Sequence, residues 1–495
     1  MSLSSARAPS ALVAPLAPLR SAPRTLSRAS AGPQSSNASQ VLERASSKDR
    51  APRGEGTASS KKAQDARAFR RSLNKSGRYT KKILNDPESL ALMEEHGVGY
   101  SRRGLVARMR AAGHEWQQGA VTVVLAEAYG FCWGVERAVQ MAYEARTRFP
   151  DRRLHITNEI IHNPVVNERL GGMGVHFIVT DAATGQKDFS GVQAGDVVLL
   201  PAFGASVDEM RLLHERGAEL VDTTCPWVSK VWNAVDNQAR RGHTSVIHGK
   251  WEHEETLATA SFAGSYVVVK DLKQARWLSD FMINGGDRDA FFAEFANAHS
   301  AGFDPAKDLE CIGMANQTTM LKGETQEIGR LLEDTQMRRF GAQQLAQHFM
   351  IMDTICDATQ ERQDAMFKLG ERQKDPAAAL DMMIVVGGFN SSNTSHLQEI
   401  GEINGVPSFW VDSAARIDVE NNAIAHKTAH GELVVTRDWL TPGKPIRVGV
   451  TSGASTPDRS VERVLDCIFE IYDPAFQGVA ALEHDVASEH PSEEE

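Results

Sequence analysis

The sequence predicts an α/β protein with largely parallel sheets, assembled from three related units. Three observations carry this. Short apolar runs alternate with amphipathic stretches through the body of the chain, the pattern of strands joined by crossover helices. A length of 495 residues suits roughly three domains of about 150 residues each. A cysteine also stands at a strand-to-helix junction three times, at Cys132, Cys225 and Cys356.

In chain order, residues 1–60 are a different material from the rest. The first acidic residue is Glu43, and before it a Ser-, Ala- and Pro-rich stretch is punctuated by Arg7, Arg20, Arg24 and Arg28. Without a signal-peptide apolar core, this composition reads as an organellar transit peptide, with an ordinary disordered tail as the alternative. Residues 61–118 form a basic extension outside the main fold. Within it, residues 67–82 carry seven basic residues and no acid, with Phe69, Leu73 and Tyr79 interleaved. That segment is either a solvated helix face or a docking arm for an acidic partner. Three α/β lobes follow at 119–224, 225–355 and 356–445, then a C-terminal segment at 446–478 that closes the site, and an acidic tail at 479–495.

The strands are expected at Val121–Leu125, Val197–Leu200, 245–247, Tyr266–Val269, 349–352, Met382–Val386, 409–411 and 446–450, with amphipathic helices over 227–240, 325–333 and 359–372 between them. After the first strand, Gly130 and Gly134 bracket Cys132, and Val135, Ala138, Val139 and Ala142 recur at helical spacing. A thiol at that turn meets free backbone N–H groups and the positive end of a helix dipole, which favour thiolate. Asp222-Thr223-Thr224-Cys225 runs into Pro226, a good first helical residue, and Asp353-Thr354-Ile355-Cys356 repeats the arrangement. The three junctions read as a weak internal repeat, each unit giving one cysteine to a shared centre. Cys311 and Cys467 lack this context and read as structural.

Three thiolates suit zinc or an iron–sulfur cluster. Structural zinc sites usually carry C-x-x-C pairs, and none occurs here. Three ligands on a 4Fe-4S cluster leave one iron open to a substrate oxygen. Spacing alone leaves the cluster open against three unrelated buried cysteines. Two small-residue loops add a second signal: 389–395 after MMIVVGG and 451–455 after IRVGV. Their hydroxyls and N–H groups can cradle phosphate oxygens at helix N-termini. With His162 and His253-Glu254-Glu255 they suit a di-anionic ligand, whereas His248, His348 and His396 read as structural.

Composition narrows the partners. A net charge of −10 argues against nucleic acid, and no apolar run reaches the roughly 18 residues of a membrane span. Five separated cysteines make no disulfide framework and fit a reducing compartment.

GFCWGVERAV, IIHNPVVNERL, DTTCPWVSKV, HEET, NQTTM, DTICDATQERQ, GGFNSSNTSHL and GVTSGASTPD occur in the order found in the 4-hydroxy-3-methylbut-2-enyl diphosphate reductase family, which residues 121–473 resemble. FRRSLNKSGRYTKK looks like the plastid and cyanobacterial branch. The resemblance implies three lobes in a pseudo-threefold arrangement around a 4Fe-4S cluster on Cys132, Cys225 and Cys356. It implies reductive dehydroxylation of the allylic diphosphate to isopentenyl and dimethylallyl diphosphate, the last step of the methylerythritol phosphate route. Glu255 matches the family's acidic proton source and Thr318 the hydroxyl that orients the substrate oxygen. His162, His253, Ser391, Ser392, Asn393 and Ser455 match the diphosphate pocket, and Thr359 would line the cavity. The chloroplast stroma and a ferredoxin donor follow from the branch, and a homodimer is compatible with it.

Two features depart from the bacterial pattern. Phe203 stands where bacterial members commonly carry a histidine, which removes one phosphate donor. Residues 279–310 look longer than their bacterial counterpart. The competing reading is an iron–sulfur electron-transfer or binding protein without chemistry, which would need neither Glu255 and Thr318 nor two phosphate loops.

Overall fold

Apolar, β-branched runs form strands throughout the chain, and these sort into three sheets. The computed structural model describes residues 58–478 apart from 102, 182, 183 and 477. The expected leader, except its last three residues, and the acidic tail lie outside the described residues.

The first sheet runs Tyr79–Thr80, Glu219–Asp222, Val197–Leu200, Leu154–Ile156, Val175–Phe177, every pair parallel. The second runs Phe349–Ile351, Ile312–Asn316, Thr244–His248, Tyr266–Val269, also parallel throughout. The third has eight strands. Its parallel centre is Ser408–Val411, Met382–Val386, Ile446–Ser452 and Val121–Leu125. Antiparallel strands flank that centre: Glu115–Gln118 on one side and the strands of 417–437 on the other. Helices cover the parallel strands on both faces. Met382–Val386 and Thr244–His248 are accordingly buried at every residue, which is why they read as unbroken apolar or mixed runs and not as alternating ones.

The sheets cut across the boundaries expected from chain order. Val121–Leu125, at the start of the segment 119–224, pairs with Ile446–Ser452 near the C-terminus, with Val123 opposite Val448 and Leu125 opposite Val450. Val121, residues 123–125 and residues 448–452 are buried, so each strand needs a strand neighbour on either side and a covering layer on both faces. The segment 446–478 therefore supplies a central strand and the covering helix Asp458–Tyr472, as well as a loop at the site.

The basic extension also enters the fold. Tyr79–Thr80 adds a strand beside Glu219–Asp222. In the helix Ala58–Lys75, Ala66 and Leu73 are buried in the core of the first sheet, and Phe69 packs against it. The Arg70 guanidinium lies 5.3 Å from the Trp232 ring centre and 5.1 Å from that of Phe262. Part of the positive charge that marked 67–82 is therefore stacked on aromatic faces; the segment is packed into the fold through Leu73 and Phe69, while Arg67, Arg71, Lys75 and Lys82 form an exposed basic face. Residues 279–310 have a structural role too. Phe291, Phe295 and Phe303 are buried, and the chain returns to bond the edge strand, with the Val268 N–H on Ala298 O (2.7 Å) and the Ser300 N–H on Tyr266 O (3.0 Å). An open edge is thereby covered. Among the described residues no helix is long and apolar enough to cross a membrane.

Candidate functional site

Cys132, Cys225 and Cys356 are each the N-cap residue of a helix: Trp133–Arg148, Pro226–Arg240 and Asp357–Gly370. None uses its side chain to cap, so each thiol is left at a helix N-terminus. All five cysteines are free. Cys225 sits against Gly134, where a Cβ would collide with its sulfur; only glycine lets the two turns approach. Burial pushes the Cys225 thiol up to about 12 and Cys356 up to about 11; the charge of Cys132 adds to both, Cys356 adds to Cys225, and Glu255 adds to Cys356. The three are thus within electrostatic reach. Among the described residues no three His, Cys, Asp or Glu side chains form a group that could hold a metal ion.

Two buried arginines tie these turns together. Arg362, on the helix that begins after Cys356, donates to Gly130 O (3.2 and 2.5 Å), Phe131 O (3.1 Å) and Tyr129 O (3.3 Å). Arg137, on the helix after Cys132, reaches Thr223 O (3.4 Å) and Thr224 O (3.5 Å), beside Cys225. Asp222 in turn accepts from Tyr79 and lies 3.2 Å from Lys81 Nζ, so the extension grips the Cys225 turn.

Glu255 and Thr318 meet at the ends of the second sheet. Glu255 is 2% exposed. One of its oxygens accepts the Thr318 N–H at 2.6 Å and the other accepts the Thr318 hydroxyl at 3.0 Å. Burial nevertheless wins, and its pKa rises from 4.5 to about 7, with the two hydrogen bonds pulling the other way. Thr318 O accepts the Cys356 N–H at 3.4 Å, which links the acid to the thiols. Thr359 Oγ1 lies 3.1 Å from Cys356 Sγ.

His253 caps the helix Glu254–Phe262 by accepting the Glu255 N–H at Nδ1 (3.2 Å). Its Nε2 is 3.3 Å from His162 Nε2. Burial, then His162, then Lys250 hold the His253 pKa well below the usual range, so it is neutral here. The Ser455 hydroxyl donates to His162 O at 3.1 Å, and Asn393 Oδ1 accepts the Ala454 N–H at 2.9 Å, joining the two small-residue loops. The Cys132 N–H donates to Ala454 O at 3.1 Å. Ser391 Oγ is taken up capping its own helix, Ser392–Ile403. Ser392 Oγ and Asn393 Nδ2, by contrast, are buried with no partner in the protein. A path of contacts or chain neighbours therefore runs through all the residues named from sequence. Phe203 is there as well, stacked on His162 with centroids 4.7 Å apart and planes 11° apart.

Glu159, Arg137 and Arg362 escaped the sequence reading. Glu159 stands three residues before His162, the spacing that lets its carboxylate reach the ring; the arginines carried no local signal. Cys311 lies 3.4 Å from His348 Nδ1, away from the site, and Cys467 packs against the third sheet's core. His248 is buried and bonded to Thr325 (2.8 Å). A groove of about 840 Å³ lies between residues 87–103 and the helix Asp458–Tyr472, but none of the site residues lines it.

The profile of the LytB protein family matches residues 123–469. The chain is 59% identical over 414 residues to the chloroplastic 4-hydroxy-3-methylbut-2-enyl diphosphate reductase of Botryococcus braunii, covering 84% of this chain and 82% of that one. It is 56% identical to the reductase of the same name from Thermosynechococcus vestitus, covering 82% and 98%. Among solved structures, it resembles the E-1-hydroxy-2-methyl-but-2-enyl-4-diphosphate reductase of Plasmodium falciparum with a TM-score of 0.50 at 20% identity, covering 74% of this chain and 98% of that one. At that identity the likeness speaks to fold.

Proposed function

The chain belongs to the LytB protein family of 4-hydroxy-3-methylbut-2-enyl diphosphate reductases, and from that premise we propose how its residues divide the work. The reaction is reductive removal of the C4 hydroxyl of (E)-4-hydroxy-3-methylbut-2-enyl diphosphate, the last step of the methylerythritol phosphate route. Two electrons and two protons enter; water and isopentenyl or dimethylallyl diphosphate leave.

The observation that carries the assignment is a carboxylic acid raised to about 7 by burial and bonded to Thr318, one peptide contact from a thiol set. Hydroxide is a poor leaving group, so a proton delivered to that oxygen lowers the barrier, an effect worth roughly 10²–10⁴-fold. Near neutral pH Glu255 holds such a proton, and the Thr318 hydroxyl is the group that would pass it and orient the oxygen. The diphosphate would lie against His162, His253, the 391–393 loop and the loop at Ser455, where Ser392 Oγ and Asn393 Nδ2 await partners. Thr359 would shape the cavity wall beside Cys356.

Cys132, Cys225 and Cys356 would hold a 4Fe-4S cluster, with the three lobes in a pseudo-threefold arrangement around it. The donor set fits such a group: three soft thiols, free of disulfides, at three helix N-termini, each of which would take a different iron and so need not converge as on a single ion. When bound, the cluster supplies the electrons that the dehydroxylation consumes.

Anaerobically prepared protein should show visible absorbance, contain iron and sulfide, and turn over the allylic diphosphate with a small reductant. A colourless, iron-free protein that binds zinc instead would overturn the cluster. We further propose a plastid address with ferredoxin as donor, on the strength of a leader whose first acidic residue is Glu43 and of the chloroplastic relative. A fluorescent protein carrying residues 1–60 should enter plastids, and cytosolic retention would refute the address.

A further inference from the structure

The His162–His253 pair is wired in one direction. His253 accepts the Glu255 backbone N–H at Nδ1, so in the neutral ring its proton is on Nε2. That N–H faces His162 Nε2 at 3.3 Å. His162 must therefore accept there and carry its own proton on Nδ1, where Glu159 Oε2 lies 3.0 Å away. The rest of His162 is equally constrained. Phe203, itself buried, covers the ring face at 4.7 Å and 11°. Ser455 holds its carbonyl, and Gly388 lies so close that a Cβ would strike the same oxygen.

We propose that Glu159 and Phe203 are positioning residues that hold His162 as the proton-accepting member of the pair, so that a diphosphate binding there draws in one proton. The proposal rests on the diphosphate reading of the site given above. In the neutral pair the single outward N–H, on His253, is already used by His162. For both Nε2 atoms to donate to phosphate oxygens, His162 must gain a proton. The Glu159 carboxylate on its far nitrogen stabilises the resulting imidazolium, while Phe203 keeps the ring in plane for the ligand. The other charged groups acting on the pair are Lys250, beside His253, and Glu254, which is balanced by Lys187 at 3.5 Å. Phe203 adds no charge. It thus takes over an orienting task at a place where a histidine would have donated directly.

The test uses the cluster-loaded protein and isopentenyl diphosphate as probe. Binding heats are measured at about pH 8 in two buffers of different ionisation enthalpy. Native protein should take up about one proton per ligand. Glu159→Gln keeps an acceptor for Nδ1–H but not the charge; uptake should fall towards zero. Phe203→Leu should keep the uptake, weaken binding roughly 3- to 10-fold and raise KM more than it lowers kcat, and Phe203→Tyr should restore binding. Equal proton uptake in native and Glu159→Gln protein, or native affinity in Phe203→Leu, would overturn the proposal. Turnover without proton-linked binding would sink this inference alone; proton-linked binding without turnover would sink the catalytic reading and leave this one standing.

Discussion

Around the cysteines, the turn carbonyls are held from within the protein, by Arg362 on residues 129–131 and Arg137 on residues 223–224. In the loops at 391–393 and 451–455 the reverse holds: Ser392 Oγ, Asn393 Nδ2, Thr451 Oγ1 and Ser452 Oγ are buried without a protein partner. Buried polar atoms are normally satisfied. Their gathering in these loops supports the proposal that a ligand completes them; the thiol turns carry fewer such atoms, Thr224 Oγ1 beside Cys225 and the Tyr129 hydroxyl. The two also differ in what tolerates change: a frame fails by losing its geometry, a cradle by losing single donors.

Single substitutions in the thiol frame and in the phosphate-type loops should behave differently. The largest effect is expected from Cys225→Ser, which should abolish the bound iron and sulfide; an unchanged cluster spectrum would remove Cys225 from the frame. Gly134→Ala should act nearly as strongly through the Cys225 sulfur that the new Cβ displaces, without replacing any of the three cysteines. Glu255→Gln should keep the iron content and reduce turnover by about 10²–10⁴-fold, and full turnover would sink the acid assignment.

Next comes Arg362→Met, which leaves the Tyr129 and Gly130 carbonyls unpaired while Phe131 O keeps the Tyr100 hydroxyl. It should lower stability by roughly 2–4 kcal/mol in chemical unfolding and loosen iron retention; a native unfolding midpoint would show that the frame does not depend on it. The pH dependence is a gentler probe. Because burial raises Glu255 above its ordinary 4.5 to about 7, its proton is present below that value and lost above it. Turnover should fall as pH rises through about 7. Folding stability should also decline from about 4.5 to about 7, since the unfolded chain releases this proton earlier. Glu255→Gln should flatten the stability decline, and an unflattened curve would assign it elsewhere. The smallest effect is expected from Ser392→Ala: stability within about 0.5 kcal/mol of native and binding of the diphosphate weakened roughly tenfold. A marked stability loss would place Ser392 in the frame instead of the cradle.

The residues proposed to carry the chemistry were legible in the sequence because such roles demand particular atoms at particular junctions. A thiol after a strand and before a helix, a Glu behind a capping His, and Ser and Asn opening a helix each leave a local signature. Glu159 was nearly legible, being three residues from His162. Arg137 and Arg362 were not, since an arginine on an amphipathic helix looks the same whether it meets solvent or a distant carbonyl. The basic extension was misjudged for the same reason: its charges alone did not reveal that Trp232 and Phe262 receive one of them.

By itself the sequence determined the α/β class, the three cysteine turns, the phosphate-type loops and the family to which they are similar. All of these depend on residues near one another in the chain, whose spacing sets periodicity, capping and turn geometry. Only the tertiary structure decided which strands share a sheet, that Val121–Leu125 lies beside Ile446–Ser452, and that Phe203 and Glu159 close on one histidine ring. Those choices come from burying apolar faces and pairing buried charge across hundreds of residues, where local pattern carries no record of the partner.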